Sequence, residues 1–386
     1  MALHRRFSGK ALRGWRKNSW ETAMVDLFII AGEASGDQLG EGLLQALKPS
    51  NLKVMGIGGP KMRAVGMDTL FPMEDLQVMG FVDVLFALPI LIRCFNKAVD
   101  AVLKAQPKVV LTIDYPGFNL RLVRKLRKKG FKGKICHYVC PSVWAWGKKR
   151  IGLMAENLDL LLSILPFEKQ LFEKTKLRVE YIGHPLAQKI SPQENPDTRL
   201  IAFFPGSRTK EIERNFPYFV RLINTLKTDF PGYRFVVSVS QEKYRPLLKK
   251  MAPDLDLITP AEMKKLKPFL AVAKSGTITL ELALQEIPTV VTYAVSPLDV
   301  FIAKQIFRIS LPYYALPNLI ADKTIFPELI GPDLTDERLL REVKNLMINQ
   351  DIWGRSKAEC SSLRALLGKE NANTRSAQLI LTLING

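Results

Sequence analysis

The chain contains no run of about 18 uninterrupted apolar residues, so no segment of it reads as a helix that spans a bilayer. The nearest stretch, FVDVLFALPILI at 81–92, is broken by Asp83 and Pro89 and followed by Arg93. It reads either as a core helix or as an apolar surface loop that dips into lipid. Cysteine is scarce: Cys94, Cys136, Cys140 and Cys360 are too few to staple 386 residues. Cys136 and Cys140 also lack a second Cys or His pair at zinc-finger spacing, which leaves reduced thiols packed in a core. The three histidines, His4, His137 and His184, are too scattered for a metal trio. His137 falls in a core strand, whereas His184 sits in a Gly-His-Pro corner where a role in a cleft stays open. No GxxxxGK[ST] string exists, which excludes a P-loop ATPase. MGIGGPKM holds Gly56, Gly58 and Gly59, but Pro60 and Lys61 break the dinucleotide fingerprint. Asp254-Leu255-Asp256 mimics a chelating pair yet falls in a short strand. No metal or cofactor is therefore expected, and there is no repeat or low-complexity tract.

Acid is also in short supply. Lys+Arg number 56 against 37 Asp+Glu, a net charge of +19, which implies an anionic partner. The densest basic run, NLRLVRKLRKKGFKGK, holds Arg121, Arg124, Lys125, Arg127, Lys128, Lys129, Lys132 and Lys134 without an acid. Leu120, Val123 and Leu126 recur within it at helical spacing, which predicts a helix with one buried stripe and a basic outer face. That face is either simply solvated or docks on an anionic membrane. Nucleic acid is not expected as a partner, because no zinc finger, RNP-like strand or helix-turn-helix accompanies the charge. Residues 1–23 carry six Arg and Lys against Glu21 and lack the apolar core of a secretory signal. They read as a disordered leader, as an over-called start with Met24 the true beginning, or as an Arg-rich presequence.

The length fits two domains. Apolar bursts VDLFIIAG, LKVMGIGG, KVVLTID, KICHYVC and LDLLLSIL alternate with helical stretches, and VEYIGHP closes a first domain over 24–190. Such continuous buried runs between helices predict a parallel sheet covered on both faces. SPQENPDTR at 191–199 is polar, holds two prolines and reads as the linker. A second alternation, RLIAFFPGS, YRFVVSVS, LDLIT, FLAVAKSG and IPTVVTY, builds a second domain over 198–360. After about residue 333 the chain reads as helical.

Several polar strings follow these strands, where ligands bind in parallel sheets and where helix starts present free N–H groups. AGEASGD brings Glu33, Ser35 and Asp37 after the first strand. VVLTIDYPGFN brings Asp114, which is either a general base in a cleft or a capping aspartate; Asp37 is equally open to a capping role. FFPGSR suits a diphosphate: Gly206 lets the backbone approach, Ser207 donates and Arg208 supplies a forked cation. SGTITLE repeats the device with Ser275, Gly276 and Thr277, and Glu281 one turn later can take the hydroxyls of a ribose. Trp144 and Trp146 either wall a sugar or acyl chain or bury a domain edge.

In order along the chain, AGEASGD, VMGFVDVL, TIDYPGFN, YVCPSVWAWGKKR, LPFEKQLFEK, YIGHPLA, FFPGSRTKEIE, SGTITLELAL and LPNLIA resemble the lipid-A-disaccharide synthases, glycosyltransferase family 19. The resemblance covers the chain from Met24 onward. It implies a GT-B fold: two Rossmann-like α/β domains facing across a cleft, with a C-terminal helix (361–386) returning to the first. It implies an inverting hexosyltransferase that joins a UDP-diacylglucosamine donor to a phosphorylated diacylglucosamine acceptor. That enzyme would act peripherally on the cytoplasmic face of the inner membrane, with a homo-oligomer left open. Asp114 matches the favoured base and Glu33 a second catalytic acid. Ser35, Asp37, Asn119, Gly206, Ser207, Arg208, Ser275, Gly276, Thr277, Glu281 and Asn318 match substrate-binding positions. Two positions depart from the family pattern: Gly117 replaces a second aspartate and Cys140 a serine. A lipid-linked N-acetylglucosamine transferase and a UDP-sugar 2-epimerase are the rival readings among enzymes. A basic binding protein without catalysis is the third.

Overall fold

The structure is a computed structural model that describes residues 24–76, 81–145, 147–296 and 311–386, with the backbone alone at 81–88. The basic leader with His4, the start of VMGFVDVL and Trp146 lie outside the described residues. The chain divides into two compact units, one running to Pro185 and taking in Glu370–Gly386, the other spanning Leu186–Lys369.

In the first unit, strands β1 (Leu27–Ala31), β2 (Val54–Gly58), β3 (Asp68–Pro72), β4 (Val109–Ile113), β5 (Lys134–Tyr138), β6 (Leu160–Ser163) and β7 (Arg178–Tyr181) form one sheet in the order 3-2-1-4-5-6-7. Every pairing is parallel. LFIIA and VVLTI are buried at every position, as strands with helices on both faces must be. The covering helices are α1 (Ala34–Leu47), α2 (Pro60–Ala64), α3 (Phe81–Ala105), α4 (Pro116–Lys128) and α5 (Lys149–Asn157). The 81–92 stretch is thus helical: it opens α3, whose later residues Cys94, Ala98, Val99 and Val102 enter the core. Ile92 stays half exposed, at 51%.

Helix α4 buries Leu120, Val123 and Leu126 as the spacing predicts, and Leu122 with them. Its basic residues do not all face outward. Arg127 turns in to pair with Asp159 and to donate to the carbonyls of Phe131, Gly133 and Asn157. Arg121, Arg124, Lys125, Lys128 and Lys129 remain exposed.

The second unit repeats the plan with β8 (Asp197–Phe204), β9 (Arg234–Ser238), β10 (Asp256–Ile258), β11 (Pro268–Lys274), β12 (Thr289–Tyr293) and β13 (Glu328–Ile330), in the order 10-9-8-11-12-13 and all parallel. Its helices include α6 (Thr209–Asp229), α7 (Arg245–Met251), α8 (Pro260–Met263), α9 (Thr277–Leu284), α10 (Leu316–Ala321), α11 (Asp336–Ile348) and α12 (Gln350–Leu367). The 191–199 segment is tied into this unit rather than free. Gln193 donates from its backbone N–H to the Gln285 carbonyl and from its side chain to that of Pro268, each at 2.9 Å. Residues from 361 to 367 likewise continue α12, where Arg364 reaches the carbonyls of Ile190 and Leu284.

Only the last helix, α13 (Ala372–Asn385), belongs to the first unit. Ala377, Ile380 and Ile384 pack in one cluster with Leu43 and Leu47 of α1 and with Leu27 and Ile29 of β1. Gly42 permits this close approach: a Cβ there would lie 2.6 Å from Asn373 Oδ1. Strands β3 and β13 are sheet edges that escape sequence reading, being short, with a part-exposed burial pattern at their ends.

Candidate active site

In each sheet the strand order reverses at one point, between β1 and β4 and between β8 and β11, and crevices open at the carboxyl ends of such strand pairs. Four of the polar strings singled out in the sequence follow these four strands.

In the first unit, β4 ends in two successive residues with left-handed backbone, Asp114 (φ 48°) and Tyr115 (φ 49°). A non-glycine residue there costs on the order of 1–3 kcal/mol. The surroundings over-determine the turn. Asp114 N–H donates to the Tyr138 carbonyl at 2.9 Å, and Asn119 Nδ2 donates to the carbonyls of Ile113 (3.2 Å) and Asp114 (2.7 Å). The Tyr115 ring stacks on Phe118 and lies over Gly32, where a Cβ would sit 2.3 Å from Tyr115 Cδ1. The glycine after β1 is therefore required by the aromatic ring after β4, and the two turns lock together.

This turn holds the Asp114 side chain half-buried, without a structural use for its carboxylate. Helix α4 is not capped by it, and among the described residues only Ser35 Oγ donates to it, at 3.4 Å. Glu33 stands at the start of α1 close to the same carboxylate. Partial dehydration first, and the negative charge of Asp114 second, raise the Glu33 pKa. The site thus pairs two acids, which lets one titrate above its ordinary range beside the other.

In the second unit, the turns after β8 and β11 line a cavity of about 580 Å³. Gly206, with φ +128°, opens the PGSR turn, and Arg208 is 80% exposed. Ser275, Gly276 and Thr277 lead into α9, whose first turn has no side-chain cap. Its N–H groups therefore present a positive end to the cavity. Glu281 lies farther along α9 in the same lining, where burial raises its pKa against the pull of Lys264. The Ser240 hydroxyl also lines this space, buried and without a partner among the described residues. Seven of the eight residues proposed for this half, all but Asn318, line this cavity.

Three of the sequence-predicted binding residues are placed differently. Asp37 is 2% exposed and accepts from the N–H groups of Gly59, Lys61 and Met62 at 2.9–3.0 Å, so it caps α2. Its carboxylate is spent on the β2–α2 turn. Asn119 is buried and serves the Asp114 turn, as above. Asn318 is fully buried with its amide saturated: it donates to the Phe326 carbonyl and Glu328 Oε1, and accepts from Ile325 and Phe326 N–H, all at 2.7–2.9 Å. Spacing alone does not distinguish such inward-turned polar groups from ligand contacts.

Sequence reading also passes over several groups. Glu211 on α6 accepts from Ser207 N–H, Arg208 and Lys274 at 2.9–3.2 Å. Burial alone would raise its carboxyl, but these donors outweigh it and hold the pKa below the usual range. Glu168, 1% exposed, accepts from Ser163 Oγ at 2.6 Å and from Leu165 N–H, and Trp144 also donates to it. Burial pushes its pKa up to about 7 despite these bonds. Trp144 is further braced edge-on by Phe167. His137 is buried against Thr112 Oγ1 (2.7 Å) and His184 is buried too; burial lowers each pKa to about 4, so both rings stay neutral. Asp256 pairs with Arg234 at 2.8 Å. Among the described residues no group of three or more His, Cys, Asp or Glu gathers as a metal site. Gly117 faces open space, so the family's aspartate at this position would find room.

Comparison with known proteins gives this arrangement a context. A family profile described as lipid-A-disaccharide synthetase matches residues 27–382. The lipid-A-disaccharide synthase of Chlamydia pneumoniae is 42% identical over 342 residues, covering 83% of this chain and 56% of that protein. That of Pseudomonas fluorescens is 36% identical over 381 residues, covering 94% of this chain and 99% of the relative. The chain thus spans about half the length of the chlamydial relatives and nearly all of the pseudomonad one. Among solved structures, the S. aureus MnaA–UDP co-structure superposes with a TM-score of 0.62 at 14% identity, covering 94% of this chain and 98% of that one. The calicheamicin glycosyltransferase CalG4 gives 0.58 at 12%, covering 94% and 99%. Acinetobacter baumannii MurG gives 0.56 at 12%, covering 93% and 100%. At such identity these likenesses bear on the fold alone, which is that of GT-B glycosyltransferases.

Proposed function

Since the chain belongs to the lipid-A-disaccharide synthase family, with two Rossmann-like parallel-sheet domains, we propose that it is the inverting hexosyltransferase of that name. It joins UDP-2,3-diacylglucosamine to 2,3-diacylglucosamine 1-phosphate, giving a β-1,6-linked disaccharide phosphate and UDP. The acceptor belongs to the first unit and the donor to the second. Asp114 takes the proton of the acceptor hydroxyl as its oxygen attacks the anomeric carbon, while the bond from that carbon to the UDP oxygen breaks. The departing diphosphate carries the negative charge, which Arg208 and the uncapped start of α9 balance. Glu33, whose pKa is raised, holds or shares the acceptor proton beside Asp114. Glu281 takes the ribose hydroxyls.

One observation carries this reading: a strained turn, fastened from four directions, presents a carboxylate that does no structural work. The test is disaccharide formation by Asp114→Ala and Asp114→Asn. Turnover should fall by about 10²–10⁴, the range for removal of a general base, with UDP affinity unchanged. Turnover within threefold of wild type would remove Asp114 from the chemistry.

Among the described residues no helix is long and apolar enough to cross a membrane. Lipid-borne substrates nonetheless call for contact with a bilayer, and the exposed Arg121, Arg124, Lys125 and Lys128 of α4 offer anionic lipid a cationic face. This supports a peripheral position on the cytoplasmic leaflet. Reversing Arg124, Lys125 and Lys128 to Glu should abolish sedimentation with phosphatidylglycerol vesicles; undiminished sedimentation would refute it.

A further inference from the structure

Besides Arg208 the donor cavity is lined by two further cations, Lys264 near Glu281 and Lys274 near Glu211. Lys274 is the last residue of β11, at the point where the strand order of the second sheet reverses. Its side chain is only 13% exposed, and Nζ lies 3.1 Å from Glu211 Oε1 and 4.4 Å from the centre of the Tyr293 ring. It lines the same cavity as Ser207, Arg208, Ser275 and Thr277. A lysine buried to this degree requires a matching anion, and Glu211 supplies one. The same carboxylate also receives Arg208 and the Ser207 N–H. Two cations and a backbone donor therefore converge on a single negative group, leaving the trio of charged side chains with one net positive charge. A carboxylate gathering two cations and an N–H presents the same set of contacts that a phosphate oxygen pair would seek.

We propose that Lys274 is a binding residue for the diphosphate of a nucleotide sugar, and that Glu211 is the positioning residue that keeps Lys274, Arg208 and the PGSR turn aimed at it. The inference rests on the donor reading above and adds to it the cation that sequence spacing did not single out. Arg208, largely exposed, can swing from Glu211 to a phosphate oxygen. Lys274, confined by Tyr293 and the sheet, stays in place and fixes where the diphosphate sits. Held at the end of a strand, it is a point charge, whereas Arg208 is a mobile fork.

The experiment measures UDP and uridine binding to the full chain by calorimetry or ligand-observed NMR, at low and high salt, for wild type, Lys274→Met and Lys274→Arg. Uridine carries the base and ribose without phosphate. Lys274→Met should weaken UDP about tenfold to hundredfold, the range for loss of a charge-assisted contact. It should leave uridine within twofold and flatten the salt dependence of UDP binding. Lys274→Arg should recover most of the loss. Unchanged UDP affinity in Lys274→Met overturns the proposal. So does a parallel loss of UDP and uridine, which would assign Lys274 to holding the strand end. If wild type binds neither ligand, the donor reading of this cavity fails, and the proposal falls with it.

Discussion

After β1 and β4 the first unit sets Glu33 and Asp114; after β8 the second sets Arg208, and at the end of β11 it sets Lys274. The sheets share a parallel plan, the reversal of strand order falls at the equivalent place, and a helix begins after each of the four strands. The side chains that fill those equivalent places are of opposite sign. All of these helix starts lack a side-chain cap; in the first unit the chain sets carboxylates beside them, and in the second it sets cations. On the proposed function, one backbone design serves two chemistries: a place for the acceptor to lose a proton, and a place to receive the charge of a leaving diphosphate.

The comparison is broken most directly by crossing its two ends. Asp114→Asn should cost orders of magnitude in turnover while calorimetry finds UDP binding unchanged. Arg208→Ala should instead weaken UDP about tenfold or more, as loss of a charge-assisted hydrogen bond does. Equal effects of both variants on UDP affinity would mean that the two units do not divide the work. A smaller effect tests Asn318, which the family resemblance groups with the binding residues and the structure buries with four hydrogen bonds. Asn318→Ala leaves the Glu328 carboxylate and two N–H groups short of partners, at a cost of about 2 kcal/mol or more. A drop in melting temperature with unchanged UDP affinity is the expected outcome; lost turnover at an unchanged melting temperature would return Asn318 to the site.

The subtlest test concerns pH. Glu168 is a buried acid of the first unit, raised from 4.5 to about 7. Between these values the folded chain holds a proton that the unfolded chain has released, so the contribution of Glu168 to stability is fully present below about pH 4.5 and is lost as pH rises through 7. The loss is on the order of 2 kcal/mol between pH 5 and 8. Hydrogen-exchange protection, corrected for the intrinsic rate at each pH, should fall around Trp144 and Ser163 over that interval, while that of the second-unit core holds steady. Glu168→Gln should abolish the pH trend, and a trend that survives it would place its origin elsewhere.

How much of this was legible in the sequence differs by kind of residue. The inner strands were, because LFIIA, VVLTI and the LIAF of β8 are buried at every position and read as nearly unbroken apolar runs. Edges β3 and β13 were not, since half-solvated strands of three to five residues carry no such run. Motif glycines and serines after β8 and β11 were legible because a short turn leaves them few other uses. Asp37 and Asn318 are chemically indistinguishable from ligand contacts until one sees that backbone N–H groups beyond their own turns fill their oxygens. Arg127 was hidden for the same reason in reverse: within a run of exposed cations, only the position of Asp159 32 residues later selects it. Lys274 and Glu211 escaped because each lies in a different string, and their meaning is the 3.1 Å between them.

The last helix carries a consequence for how the protein is made. Ribosomes deliver the first unit's seven strands early, yet the helix that seals α1 and β1 leaves the exit tunnel only after all of Leu186–Lys369. The half synthesised first is therefore the half completed last. Until then Leu27, Ile29, Leu43 and Leu47 lack one wall of their packing, and a nascent chain stalled anywhere in the second unit would offer that open seam to chaperones.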